Sequence, residues 1–200
     1  MIGIINYGMG NVGSIYNMLR KIGSEAKICT RPDELKSCKK IILPGVGSYD
    51  NAVNKLKSTG LFDCIINEVK SGTPFLGICL GMQILGTKSE EGKLRGLNLI
   101  PGEVIKFPDY IDQRVPHMGW NTVKFKENPL VKNLNDENKF YFVHRYIFVP
   151  DNPAHTAGNS KYGLEFSSFI NKDNIYGVQF HPEKSHKYGM LFLENFKNLD

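Results

Sequence analysis

Apolar and polar positions follow two different periods along the first half of the chain. Short, mostly apolar runs at 1–6, 26–29, 40–43 and 75–78 read as strands, the last of them as a buried one. Helical spacing lies between them. Ile15, Met18, Leu19 and Ile22 recur at i, i+3, i+4 and i+7 in the segment opening at Asn11, and 51–70 reads as a helix in two pieces broken near Gly60. A further helix opens at the run 80–85. Strand–helix alternation of this kind predicts a parallel sheet with helices on both faces.

The second half changes character. Segments 104–107, 122–125, 139–149, 163–170 and 174–180 are strand-like, with few helices between them. They predict antiparallel additions to the sheet or a small side sheet. The segment 185–199 reads as a closing helix with Tyr188, Leu191, Phe192 and Phe196 as its apolar stripe, and Tyr188-Gly189 weakens its first turn. No internal repeat, low-complexity tract or Pro/Ser-rich linker divides the chain. The expected fold is a single α/β domain over 1–200: a mostly parallel, doubly wound sheet with antiparallel strands added in the second half.

Composition narrows the function classes. The formal charge of +5 is spread without a long basic run, which argues against a nucleic-acid partner. No apolar stretch reaches the roughly 18 residues of a membrane span, and the N-terminus lacks a signal peptide's basic region. The 4 cysteines, Cys29, Cys38, Cys64 and Cys79, show no C-x-x-C spacing, so neither a metal site nor a disulfide framework is indicated. A reducing cytoplasm fits best.

Candidate chemistry centres on Thr73-Pro-Phe-Leu-Gly-Ile-Cys79-Leu-Gly-Met-Gln-Ile-Leu85. Gly77 and Gly81 flank Cys79 in a G-x-C-x-G turn from strand to helix, the thiol form of a nucleophile elbow. Such a turn lifts the sulfur from the sheet to a helix N-terminus, which favours a thiolate. A buried structural cysteine between packing glycines is the alternative. Among 5 histidines, His181 stands out: it ends an apolar strand, Pro182 stops that strand, and Glu183 lies two residues on. The carboxylate is placed to hold one imidazole nitrogen while the other faces the thiol. The backbone N–H of Leu80 and the loop Pro44-Gly45-Val46-Gly47 are candidate oxyanion donors. His144 is a second possible base, but no carboxylate stands near it in sequence.

The loops at 7–13, 44–48 and Cys79 all follow strands of the N-terminal half, so they are expected on one rim. Gly8-Met-Gly-Asn-Val-Gly13 is a literal G-x-G-x-x-G, and Asp33 lies about twenty residues further on. A dinucleotide reading follows in form, yet Asp33 stands after Arg31-Pro32, where a helix would open. A glycine turn at the rim is the better reading. Arg114-Val-Pro-His-Met-Gly-Trp-Asn121 carries the sole tryptophan, as an interface anchor or a core residue beside a turn.

Taken together, N-Y-G-M-G-N at 6–11, L-P-G-V-G-S at 43–48, G-I-C-L-G-M-Q at 77–83, S-E-E-G at 89–92, P-H-M-G-W-N at 116–121, Y-F-V-H at 141–144 and G-V-Q-F-H-P-E-K-S at 177–185 resemble class I glutamine amidotransferases. Within them the pattern is similar to the glutaminase subunits of imidazole glycerol phosphate synthases. The resemblance implies a flavodoxin-like fold and a Cys79–His181–Glu183 triad that hydrolyses L-glutamine to glutamate and ammonia through a thioester. Gln83, Gly47 and nearby backbone would hold glutamine, and no cofactor or metal is implied. Ammonia would pass to a (β/α)8-barrel synthase subunit in a heterodimer of histidine biosynthesis, with Trp120, Asn121 and Lys184 toward that partner. Some relatives instead feed ammonia to enzymes that aminate sugars for surface glycans. Two positions depart from the family pattern: Asn6 replaces an aspartate, and Arg145 replaces a serine, bringing a large cation near the expected substrate or partner face.

Overall fold

The computed structural model describes residues 1–199. Its first half alternates as expected: β1 (Ile2–Ile5), α1 (Val12–Lys21), β2 (Ala26–Cys29), α2 (Pro32–Lys36), β3 (Lys40–Gly45), α3 (Tyr49–Ser58), α4 (Leu61–Lys70), β4 (Phe75–Cys79) and α5 (Leu80–Ile84). Gly60, in the left-handed region at φ 72°, separates α3 from α4. Asp33 opens α2 and pairs with Arg31 on the surface, so it is not a ribose-binding acid at the end of β2.

The second half supplies β5 (Lys88–Ser89), β6 (Gly102–Lys106), β7 (His117–Thr122), β8 (Lys124–Phe125), β9 (Lys139–His144), β10 (Tyr146–Pro150), β11 (Thr156–Tyr162), β12 (Leu164–Lys172), β13 (Ile175–Val178) and α6 (His186–Lys197). One sheet runs β2-β1-β3-β4-β13-β12-β10-β6-β5, with β11 and β8 branching from β12. The strands β2, β1, β3, β4 and β13 are mutually parallel, and β12, β10 and β6 extend the sheet through antiparallel pairings.

The expected single strand over 139–149 is two. The chain bends at Arg145, so β9 pairs with β7 in a separate two-stranded sheet while β10 joins the main sheet. Strand-forming residues continue on both sides of the bend, which is why the pattern hides it.

Two cores cover the faces of the parallel strands. One packs Tyr49 and Val53 of α3 and Ile65 of α4 with Ile84 and Leu85 at the end of the elbow helix. The other packs Ile15 and Leu19 of α1 with Phe192 and Phe196 of α6. Leu193, rather than the expected Leu191, is fully buried in that helix. Phe180 sits between Phe140 of the small sheet and Phe192 of α6, with ring centroids 4.3 and 5.5 Å away. Each such ring contributes about 1.5–3 kcal/mol of burial, and together they fix the strand that leads into His181. Gly189 does not merely weaken α6: a Cβ there would collide with the Pro182 carbonyl, so the helix lies directly on the turn after His181.

Candidate active site

The loops after β1, β3 and β4 meet on one rim, as expected. The Tyr7 hydroxyl donates to the Pro44 carbonyl at 3.0 Å. A Cβ at Gly45 would lie 2.8 Å from that hydroxyl and 2.9 Å from the Gly81 nitrogen. The elbow needs its glycines for the same reason. A Cβ on Gly77 would stand 2.6 Å from the Gly81 carbonyl oxygen, and one on Gly81 would collide with the Leu43 carbonyl.

Cys79 ends β4 at φ 56°, ψ −110°, a conformation that strains any residue with a Cβ. Replacing it by glycine should therefore give a protein about 1 kcal/mol more stable than the alanine variant, the reverse of the usual order. Denaturant midpoints measure this; an alanine variant at least as stable as the glycine one would show that the turn is unstrained. The residue is 7% exposed. Its sulfur faces the Val143 carbonyl at 3.9 Å and receives a contact from Nε2 of Gln179 at 3.7 Å.

His181 follows β13, and its own N–H donates to the Tyr141 carbonyl at 2.9 Å. Ser185 completes the clamp. Its hydroxyl donates to the His181 carbonyl at 2.6 Å and accepts from the Tyr141 N–H at 3.0 Å. Nδ1 of His181 meets Oε1 of Glu183 at 2.8 Å, with side-chain exposures of 1% and 2%. Burial works against the charged imidazole. The negative charge of Cys79 and then the contact with Glu183 outweigh it and push the His181 pKa up to about 10. Nε2 of His181 is buried and meets no acceptor at hydrogen-bond geometry among the described residues, so Cys79 acts on the ring by its charge and its closeness. The arrangement brings a thiol from β4 beside a histidine–carboxylate pair about a hundred residues further along the chain.

Cys79 and His181 border a cavity of about 260 Å³, which suits a ligand of single-amino-acid size better than a drug-sized one. Val46, Gly47, Leu80 and Gln83 line it, and so do Glu91 and Arg145. Gly47 adopts φ 103°, and no acceptor among the described residues takes the N–H groups of Val46 or Gly47. Gln83 donates to Oε1 of Gln179 at 3.0 Å and to the Tyr146 carbonyl at 3.4 Å. Glu91 accepts from the Tyr49 N–H at 3.3 Å. Burial pushes its carboxyl pKa up; the Tyr49 contact opposes this and the Asp50 charge adds to it.

Gln179, Ser185 and Glu91 escaped the sequence reading. Gln179 is a lone amide in the apolar run Gly177-Val178-Gln179-Phe180, fully buried. A polar residue at a wholly buried position was the available signal. His144 is no base. Its Nδ1 lies 2.8 Å from the Tyr146 carbonyl and its Nε2 lies 2.9 Å from Nδ1 of His117. The carbonyl accepts, so His144 carries its proton on Nδ1, and His117 donates to Nε2. Burial pushes His144 down to about 3, with the His117 and His181 charges adding, and burial alone takes His117 to about 4. Both rings are neutral at physiological pH.

The residues predicted to face a partner cluster only in part. Trp120, 46% exposed, stacks on His186 at 5.2 Å and meets the Tyr141 ring edge-on at 5.9 Å. Nζ of Lys184 lies 5.6 Å over the same tyrosine. Met118, 61% exposed, extends the patch. The Asn121 amide turns inward instead, donating to the Lys161 carbonyl at 3.0 Å and contacting His117 at 3.3 Å. Among the described residues no cluster of His, Cys, Asp or Glu has the makings of a metal site, and no helix is long and apolar enough to cross a membrane.

A thiol on a strained elbow, a buried histidine–carboxylate pair and an amino-acid-sized cavity are the parts that cysteine-nucleophile acyl transfer requires. The family model for glutamine amidotransferase class-I matches residues 3–198, and the chain belongs to that family. Relatives include the imidazole glycerol phosphate synthase subunit HisH 2 of Methanococcus maripaludis, 51% identical over 98% of both chains. The protein of the same name from Pseudomonas aeruginosa is 42% identical over the full length of both. Among solved structures, PurLQS from Thermotoga maritima aligns with a TM-score of 0.76 at 18% identity over 98% of this chain and 97% of that one, which supports the fold alone.

Proposed function

We propose that this chain is the glutaminase subunit of an imidazole glycerol phosphate synthase, releasing ammonia from L-glutamine for a synthase subunit. The observation that carries the chemistry is the enclosed His181–Glu183 pair, with Nε2 unpartnered, beside the Cys79 elbow. The Cys79 thiolate attacks the side-chain amide carbon of glutamine. His181 gives its Nε2 proton to the leaving nitrogen, the C–N bond breaks, and a γ-glutamyl thioester remains. Water, deprotonated by the now neutral His181, attacks the thioester; glutamate leaves and the thiolate returns. Glu183 holds Nδ1–H throughout. The N–H groups of Val46, Gly47 and Leu80 serve the oxyanion, and Gln83 orients the substrate.

The names of the relatives, over full length, support the assignment to this synthase. The partner is a (β/α)8 barrel that receives the ammonia directly, docked on the patch of Trp120 and Lys184, with Asn121 supporting the strand from within. The chain works in the cytoplasm without metal or cofactor. A glutamine-directed electrophile such as 6-diazo-5-oxo-L-norleucine should label Cys79 stoichiometrically, and excess glutamine should protect it. Mass spectrometry of the labelled peptide decides: label elsewhere, or none, removes the glutaminase reading. Capture of the co-purifying synthase tests the partner.

A further inference from the structure

We infer that Arg145 binds the α-carboxylate of the amino-acid substrate and selects for it. The inference rests on the glutaminase reading above and concerns the far end of the same ligand.

Arg145 occupies the bend between β9 and β10. Its backbone is fixed: its carbonyl accepts from the Phe107 N–H at 3.1 Å, and the neighbours on either side, His144 and Tyr146, are tied to each other through the His144 ring. The side chain lines the cavity that holds Cys79 and is solvent-exposed. Among the described residues its guanidinium has no ion pair, hydrogen bond or ring partner, whereas the other charges of the site are engaged. His181 faces Glu183 and Cys79, and Glu91 accepts from Tyr49.

A free α-amino acid carries a carboxylate and an ammonium together. The thiol chemistry concerns only its side-chain amide, so the opposite end must be held by other groups. In this cavity one carboxylate, Glu91, and one unpaired cation, Arg145, meet that need with opposite signs. A guanidinium is the side chain that grips a carboxylate through two parallel N–H donors. A bound ammonium would also relieve the poorly compensated charge of half-buried Glu91. Lacking a partner of its own, Arg145 loses no existing bond when the ligand arrives.

The test compares reagents that carry the α-carboxylate with reagents that lack it, on the full chain with and without its synthase. Rate constants for Cys79 labelling are measured with 6-diazo-5-oxo-L-norleucine, with its decarboxylated analogue and with iodoacetamide. In Arg145→Ala the first should fall by about ten- to a hundredfold, the loss expected for one charged hydrogen-bonded pair, while the other two change less than about twofold. Arg145→Lys should fall between, keeping the charge and losing the fork. In the complex, the loss should appear in KM for glutamine far more than in kcat.

Equal losses with all three reagents would mean that the substitution disturbs the elbow, and would overturn the inference. Unchanged labelling by the glutamine analogue would overturn it too; a fall confined to synthase-stimulated turnover would then assign the cation to the partner. A wild-type chain labelled by iodoacetamide but not by the glutamine analogue would defeat the glutaminase reading itself, and this inference with it.

Discussion

Cys79→Ala should lower glutamine hydrolysis by about 10⁴-fold or more, since no second thiol or aliphatic hydroxyl is among the residues lining the cavity and members of such a catalytic group act as a unit. The same change should drop the pKa of His181 from about 10 toward its ordinary range, because the charge of Cys79 is the largest influence raising it against burial. The consequence for stability has a definite direction. A folded-state pKa above the unfolded 6.5 means the imidazolium pair stabilises the fold fully below pH 6.5, and that this contribution disappears as pH climbs through about 10. Melting temperatures followed across that window should fall for the wild type and flatten for the alanine variant. Nuclear magnetic resonance of the His181 ring checks the titration directly; an unmoved pKa would mean that thiol and imidazole do not sense each other.

Glu183→Gln should cost about 10³- to 10⁴-fold in kcat while leaving glutamine binding nearly intact. The carboxylate does not touch the substrate. It lies 2.8 Å from Nδ1 of His181, where, on the proposed mechanism, it would keep Nε2 aimed at the reacting atoms. Glutamine keeps the size but gives up the charge, and its amide is free to offer N–H instead of oxygen, which would reverse the imidazole's protonation pattern. Removing the carboxylate also removes part of what raises the histidine pKa. The alkaline limb of the pH–rate profile, where the imidazolium is lost as proton donor, should therefore move to lower pH. A fall in kcat with an unmoved limb would make Glu183 a packing residue rather than an orienting one.

Much of this site is legible in the residues because its constraints are local. Glycines two places either side of Cys79 are demanded by carbonyl oxygens that leave no room for a Cβ. Pro182 opens the short turn after β13, and a carboxylate two residues past a strand-end histidine reaches its ring without help from the rest of the fold. The parallel half is equally plain, since each of its strands is one apolar run between turn residues. The second half is harder because its strands obey non-local demands. Thr156–Tyr162 is built of small and polar residues, T-A-G-N-S-K-Y, yet it forms β11 because β12 and β8 flank it. His117–Thr122 reads as a turn around a tryptophan, and becomes β7 only by pairing with β9. Gln179 gains its meaning from Gln83 and Cys79, both distant in sequence. No periodicity encodes such a meeting.

The bend at Arg145 bears on how such a protein diversifies. Cys79 belongs to the large sheet, at the end of β4, and the bend lies where the chain leaves the small sheet. Position 145 is exposed, and its side chain packs into neither core. If Arg145 holds the ligand as inferred, substitutions there should retune which molecules the cavity admits while Cys79, His181 and the strained elbow stay as they are. Reaction and ligand choice are therefore separately mutable in this chain, and a lineage can change its customer without rebuilding its chemistry.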